Sequence, residues 1–371
     1  MKKLNVMQLT YDMRIGGTEM VIKNIIEGAD KALFAMSIFC IEQPIGPWGI
    51  DLQKSGLPID AKERKPGFDT SLIFAIRKHL KQHKIDVMHC HQYSPWVYGV
   101  LAALGTKTKV IFTEHGRFYP DSSSWKRKVI NPILSYFTDA ITCISAATKQ
   151  ALVQYEFLNA NKIEVIHNGI DAIKQIDNTQ TNVYSQYNIP TGHFIVGTVA
   201  RMDPIKNHSL MIRAIKECIN KNMKVHFVLV GDGEMRSAIE SEISQLALQK
   251  CITLTGYQKD PAPFINIFDV FLLTSFSEGM SMTLLESMSI GLPCIVTKVG
   301  GNAEVVAHEQ TGLVIENNNL EQLTSAIGTL ANSPDKTKAF SDASVKIFNK
   351  KFTQQLMNQK YQSCYTSAFK K

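Results

Sequence analysis

Residues 270–297 read VFLLTSFSEGMSMTLLESMSIGLPCIVT. The apolar run Val270–Leu273 predicts a buried strand, and the segment from Ser275 to Glu286 predicts a loop leading into a helix. Gly291-Leu292-Pro293 ends that helix, and Pro293–Thr297 predicts the next strand. Strand, loop, helix and strand make one unit of a parallel sheet covered by helices.

The same alternation runs outward in both directions. In the second half the predicted strands are Phe194–Ala200, Val225–Val230, Ile252–Thr255, Val270–Leu273, Pro293–Thr297 and Leu313–Ile315. In the first half they are Leu4–Leu9, Leu33–Ile41, Asp86–Cys90, Lys109–Thr113, Ala140–Ile144 and Lys162–Ile166. Helical patterns fall between the first-half strands at 18–28, 70–83, 95–104, 124–137 and 146–157. The expected fold class is therefore α/β, with two doubly wound Rossmann-like domains. A polar stretch separates them, so the expected boundaries are 1–172, a linker over 173–190, 191–351, and a last helix over 352–371 that returns to the first domain. With two such domains facing each other, the cleft between them is the default active site.

Composition supports this frame. At 371 residues the chain exceeds one ordinary domain, and 44% hydrophobic with 20% charged residues excludes a disordered or fibrous protein. The seven cysteines (Cys40, Cys90, Cys143, Cys218, Cys251, Cys294 and Cys364) show no pairing pattern and read as small core residues in a reducing compartment. The run after Met1-Lys2-Lys3 is too short and polar for a signal peptide, and no apolar run approaches a membrane span. The expected location is the cytoplasm, with contact to the inner membrane face left open. A net charge of +7 suits nucleotides or lipid headgroups. Nucleic acid is not expected, because neither zinc-finger spacing nor an RNA-binding signature is present.

Four stretches carry chemistry. Gly16-Gly17, after the first strand, allows a tight turn, and Thr18 is positioned to cap the next helix and leave an anion site. A bland strand-to-helix turn explains the same residues. Arg201 ends the first strand of the second domain, and Asp203-Pro204 reads as a cap and first helical residue, so Lys206 projects from the opening turn. Two cations beside a helix start suit a diphosphate; solvated surface charges are the alternative. Glu278 lies in the loop quoted above and Glu286 in its helix, with the amides of Met282, Thr283 and Leu284 at the helix start. Trp125, Val129, Pro132, Ile133, Tyr136 and Phe137 mostly share one helical face beside Lys126, Arg127 and Lys128. That pattern fits an anionic membrane surface or, equally, a core helix with a basic start.

Two glutamates with seven residues between them, followed by Gly-x-Pro and Gly300-Gly301-Asn302-Ala303-Glu304, resemble the family-4 retaining glycosyltransferases of the GT-B fold. Gly16-Gly17, Arg201 with Lys206, and Asn168-Gly169-Ile170-Asp171 match further elements of that family in the right order. The resemblance implies a donor that is a nucleotide diphosphate sugar, UDP- or GDP-linked, a glycan or lipid-linked acceptor, and no cofactor or metal. By carry-over Glu278 contacts the transferred sugar, Glu286 the ribose, and Arg201 with Lys206 the leaving diphosphate. Gly231-Asp232-Gly233 lies near the nucleotide and Gly256-Tyr257 contacts the base. His115, in Thr113-Glu114-His115-Gly116-Arg117, faces the donor sugar. Ser281 and Asn207 depart from the family pattern, which often has Pro and Gly there. His89 and His91 share a strand face, so a metal site beside His115 is an alternative. An epimerase or a non-catalytic nucleotide-sugar sensor of the same fold also remains open.

Overall fold

The computed structural model describes residues 2–116, 122–176 and 182–370. The chain divides into two compact units, residues 1–170 with 353–371, and residues 171–352.

The first unit contains β1 (Leu4–Thr10), α1 (Gly17–Glu27), β2 (Phe34–Cys40), α2 (Pro47–Lys54), β3 (Ile59–Ala61), α3 (Thr70–Gln82), β4 (Val87–His91), α4 (Tyr93–Ala103), β5 (Lys109–Glu114), α5 (Trp125–Tyr136), β6 (Ala140–Cys143), α6 (Ala146–Glu156) and β7 (Ile163–Val165). Its seven strands lie in the order β3-β2-β1-β4-β5-β6-β7, and every pairing is parallel. The sequence reading missed α2 and β3, which are short; β3 has three residues.

The second unit contains α7 (Val183–Gln186), β8 (Phe194–Val199), α8 (His208–Asn220), β9 (Val225–Val230), α9 (Arg236–Gln245), β10 (Ile252–Gly256), α10 (Ala262–Ile265), β11 (Val270–Leu273), α11 (Met282–Ser289), β12 (Cys294–Thr297), α12 (Asn302–Val305), β13 (Gly312–Ile315), α13 (Leu320–Ala331) and α14 (Pro334–Lys351). Its strands run β10-β9-β8-β11-β12-β13, again all parallel. Strands covered on both faces must be apolar throughout, and all six residues of β9 are buried. His226 is tolerated there because Thr253 hydrogen-bonds its Nε2 at 2.8 Å.

The stretch read as a linker belongs with the second unit. Ile173 N donates to Ser289 Oγ at 3.1 Å, Ile176 N donates to Asn266 Oδ1 at 2.8 Å, and Val183 and Ile189 are buried. A polar composition conceals such backbone anchoring. Residues 177–181 of that stretch lie outside the described residues.

The last helix, α15 (Gln354–Lys370), belongs to the first unit. Gln354 N donates to Ile170 O at 2.8 Å. The side-chain amides of Gln354 and Asn358 donate to Asn24 O of α1 at 2.9 and 3.0 Å. Tyr361 and Tyr365 are buried against the first sheet beside His89. All seven cysteines are free thiols. Among the described residues no helix is long and apolar enough to cross a membrane.

Candidate active site

In the second unit the strand order reverses between β8 and β11, which are neighbours reached by crossovers in opposite directions. Loops leaving the carboxyl ends of such a pair diverge and leave a crevice where ligands bind. Arg201, Lys206, Ser275 and Glu278 all lie on these two loops.

Asp203 organises the first loop. Its Oδ1 accepts from Lys206 N at 3.2 Å, and its Oδ2 pairs with Arg201 Nε at 2.8 Å. The sequence reading started a helix here. The structure instead places a single 3-10 turn at Pro204–Lys206, then Asn207 at φ +50, and begins α8 at His208. Asn207 therefore fills a left-handed position that only Gly and short polar side chains enter readily, which accounts for Asn where the family often has Gly. The turn aims the lysine across the crevice. Lys206 Nζ lies 2.6 Å from Glu278 Oε1, and Ser275 Oγ donates to the same oxygen at 2.6 Å.

The two loops are joined by backbone. Phe276 N donates to Ile205 O at 2.8 Å, and Thr274 Oγ1 donates to the carbonyls of Lys206 and Asn207 at 3.2 and 3.1 Å. A third loop supports them. Gly300 adopts φ +48, and a Cβ there would lie 1.6 Å from the Glu278 carbonyl oxygen. Gly231, at φ +144, likewise approaches Ala200, where a Cβ would meet its carbonyl oxygen at 2.0 Å. Gly231 N donates to Gly256 O at 3.0 Å, so the end of β10 is tied to the same rim. Tyr257 follows with an exposed ring, available for stacking.

Helix α11 begins as expected at Met282, but Ser281 Oγ accepts from Leu284 N at 3.3 Å. Leu284 is thereby removed from the set of free amides, and Met282 and Thr283 remain as orphan donors at the helix start. Glu286 lies in the second turn. Burial, reinforced by Asp260, pushes its carboxyl up to about 7, and its Oε2 has no partner among the described residues. A shielded carboxylate lacking a cation is suited to hydroxyl donors.

From the sequence Asp203 is legible only as a cap, its pairing with Arg201 is not, and neither Ser275 nor His208 is assigned a role. His208 is buried at the first residue of α8, and burial lowers it to about 4. Both its ring nitrogens lack partners among the described residues. Nothing in the local sequence separates it from an ordinary core histidine.

In the first unit, Gly16 caps α1 with extended backbone and Thr18 makes no cap. The expected anion site is covered by Glu19, whose carboxylate accepts from its own amide. A Cβ on Gly16 would meet that carboxylate at 2.4 Å. Burial, with Asp12 nearby, raises Glu19 to about 7. Gly17 opens the helix beside it. His115 follows β5 and is buried, with its ring neutral because burial lowers it to about 3; Arg117 lies outside the described residues. His89 and His91 do share one face, with ring centroids 4.0 Å apart. Their four nitrogens meet Tyr365, Thr113, His115 and Gln8, so an ion there would displace a hydrogen bond at every ligand atom. Among the described residues the cluster with metal-ligand spacing is elsewhere, at Asp60 on β3, His79 on α3 and His83 just beyond its end.

A cavity of about 900 Å³ opens beside Phe194, Asp269 and Pro293, at the amino ends of β8, β11 and β12. Parallel sheets bind ligands at the opposite ends.

Two Rossmann-like units of parallel sheet, the second with a crevice of paired charges at its switch point, define a GT-B protein. Solved structures share the fold over its length. A glycosyltransferase from Rickettsia africae aligns with a TM-score of 0.87 at 21% identity over 100% of both chains. Anabaena HepE, in complex with UDP, aligns with a TM-score of 0.84 at 20% identity over 98% of this chain and 100% of that one. The family profile "Glycosyltransferase Family 4" matches residues 15–173, and "Glycosyl transferases group 1" matches residues 179–346. The chain is 29% identical over 269 residues, 70% of each chain, to the Escherichia coli UDP-Gal:alpha-D-GlcNAc-diphosphoundecaprenol alpha-1,3-galactosyltransferase. This chain belongs to the family-4 glycosyltransferases and is a glycosyltransferase.

Two outcomes follow from this geometry. Gly300→Ala forces the Glu278 carbonyl away, and a displacement of about 1 Å costs on the order of 100-fold in turnover; a variant with wild-type turnover would show that the loop yields freely. An ionised carboxylate accepts from hydroxyls better than a protonated one, so a ribose held at Glu286 should bind more weakly, by calorimetry with a nucleotide, as pH falls below about 7. Binding near that pH should release protons, and Glu286→Gln should flatten both dependences.

Proposed function

We propose that this chain is a retaining, metal-independent glycosyltransferase acting in surface polysaccharide or glycoconjugate synthesis. It moves a sugar from a UDP- or GDP-linked donor to a glycan or lipid-linked acceptor. The observation that carries this reading is the Lys206–Glu278 pair at 2.6 Å, set between the Arg201 loop and the start of α11. The names of the relatives point the same way. The Escherichia coli enzyme is named for a UDP-linked donor and a lipid diphosphate acceptor, and Anabaena HepE was also solved with UDP-glucose.

Arg201, Lys206 and the amides of Met282 and Thr283 stabilise negative charge that develops on the leaving diphosphate. Glu278 and His115 hold hydroxyls of the transferred sugar, Glu286 holds the ribose, and Tyr257 stacks on the base. Gly231 and Gly256 shape the rim for the nucleotide. Front-face attack balances the reaction. The acceptor oxygen bonds to the anomeric carbon as the sugar–phosphate bond breaks on the same face, and the acceptor proton passes to a diphosphate oxygen.

Donor consumption with and without acceptor tests the class. Consumption only with acceptor fits transfer, acceptor-independent conversion fits an epimerase, and binding without turnover fits a sensor. Arg201→Ala and Lys206→Ala should each cost roughly 2–4 kcal/mol of transition-state stabilisation, mainly in turnover. A folded variant with wild-type turnover overturns the clamp. Activity should persist in EDTA; complete loss restored by magnesium or manganese contradicts the metal-independent reading.

We further propose that α5 rests on an anionic membrane. Trp125, Val129, Ile133 and Tyr136 are 74%, 56%, 56% and 77% exposed, so the apolar stripe faces outward and is not core. Of the three cations, Arg127 is turned inward, 3.0 Å from Glu156 and over the Tyr93 ring. Lys126 and Lys128 remain for lipid headgroups, each worth about 1 kcal/mol near an anionic leaflet. Co-sedimentation should favour anionic over neutral vesicles, weaken with salt, and fall when both lysines become Gln. Equal binding to both vesicle types removes the membrane from the proposal.

A further inference from the structure

A continuous chain of buried side chains connects α15 to His115, and its direction is set at one end. The Phe112 carbonyl can only accept a hydrogen bond. Thr142 Oγ1 donates to it at 3.3 Å, so Thr142 must accept from Thr113. With its own proton used, Thr113 accepts from His89 Nε2 at 2.6 Å. Burial keeps His89 neutral, so Nδ1 is a bare lone pair and accepts from the Tyr365 hydroxyl at 2.9 Å. The Tyr365 oxygen in turn accepts from the Gln8 side-chain amide at 3.3 Å. That orientation leaves Gln8 Oε1 to accept from His91 Nε2 at 2.7 Å. His91, also kept neutral by burial, then accepts at Nδ1 from His115 Nε2 at 2.8 Å.

The chain ends at His115 Nδ1, which is shielded from solvent and has no partner among the described residues. Running every proton the other way would strip Thr142 of its carbonyl acceptor. It would also leave a buried His115 Nδ1–H without any acceptor, and orphaned buried N–H groups are rare. The Tyr361 hydroxyl lies by Thr113 and Thr142; each threonine oxygen has a second lone pair to receive its proton while still donating its own, so Tyr361 does not redirect the chain.

We infer that Tyr365, Gln8 and His91 form a positioning relay that holds His115 in its Nε2–H tautomer, so that its Nδ1 lone pair accepts a hydrogen bond from a hydroxyl of the bound sugar. The second half of this inference rests on the proposed reading that His115 meets the transferred sugar. A shielded, unpartnered acceptor is unfavourable until such a donor arrives. The tautomer also imposes a selection: His115 accepts from a hydroxyl and cannot donate to a carbonyl or carboxylate at that atom.

The experiment uses full-length protein labelled with 15N at histidine. Long-range nitrogen–proton correlations report the tautomer of each ring, with His115 assigned by its loss in His115→Gln. Wild type should show a protonated Nε2 and a bare Nδ1. Gln8→Leu removes the acceptor that orients His91, so His115 should populate both tautomers and kcat/KM should fall roughly tenfold, the scale of one neutral hydrogen bond. Tyr365→Phe deletes one oxygen without changing shape. It should move the tautomer ratio in the same direction by a smaller amount, which provides the test if Gln8→Leu fails to fold. A protonated Nδ1 in wild type, or an unmoved tautomer ratio in both variants, overturns the relay. If the tautomer is as stated but His115→Ala keeps wild-type kcat/KM, the relay stands and the placement of His115 against the sugar is overturned.

Discussion

The reversal of strand order between β8 and β11 is the constraint on which the second unit's site depends. Because the two crossovers leave in opposite directions, the loops carrying Lys206 and Glu278 part and then must be drawn back to a working distance. Backbone does this: Phe276 holds Ile205, Thr274 holds Lys206 and Asn207, and Gly300 lies beneath the Glu278 carbonyl. The ion pair at 2.6 Å is the result of that bracing.

The polar groups of the site fall into two kinds. Those suited to a charged diphosphate are neutralised within the protein, Lys206 by Glu278 and Arg201 by Asp203. Lys206, 22% exposed, would carry a desolvation cost if unpaired, whereas its pair with Glu278 can exchange one partner for a phosphate; Arg201, 75% exposed, stays largely in solvent. Those suited to neutral hydroxyls are left with unpartnered atoms, Glu286 Oε2 and His115 Nδ1. Burial keeps the first poised near pH 7 and the second uncharged. A hydroxyl can satisfy either without bringing a counterion.

Helix α5 inverts the usual arrangement. Its buried face holds Asn131, Leu134 and Ser135, and Asn131 bonds to Glu156 and Tyr93. Its apolar face is left in solvent. Periodicity reported that the helix is amphipathic, but it could not tell which face turns inward. That depended on the polar contacts Asn131 and Arg127 find on α6, 25 and 29 residues away.

Much of the fold could be read from the chain because parallel strands buried on both faces are continuous apolar runs. Val225–Val230 and Val270–Leu273 were bounded to the residue. Strand β3 escaped because three residues carry no period. Residue identity also determined which groups could bind phosphate and hydroxyl: Arg201, Lys206, Glu278, Glu286 and His115 are marked by type and by position after a strand. Tertiary structure alone decided how they are used. Whether Glu19 covers the Gly16 turn, whether Ser281 takes the Leu284 amide, and which nitrogen of His115 carries the proton depend on neighbours. For His115 those neighbours are Gln8, His91 and Tyr365, spread over 357 residues of sequence. Local sequence sets backbone preference and side-chain chemistry, but a hydrogen bond's direction is a property of the whole chain of partners, which only folding assembles.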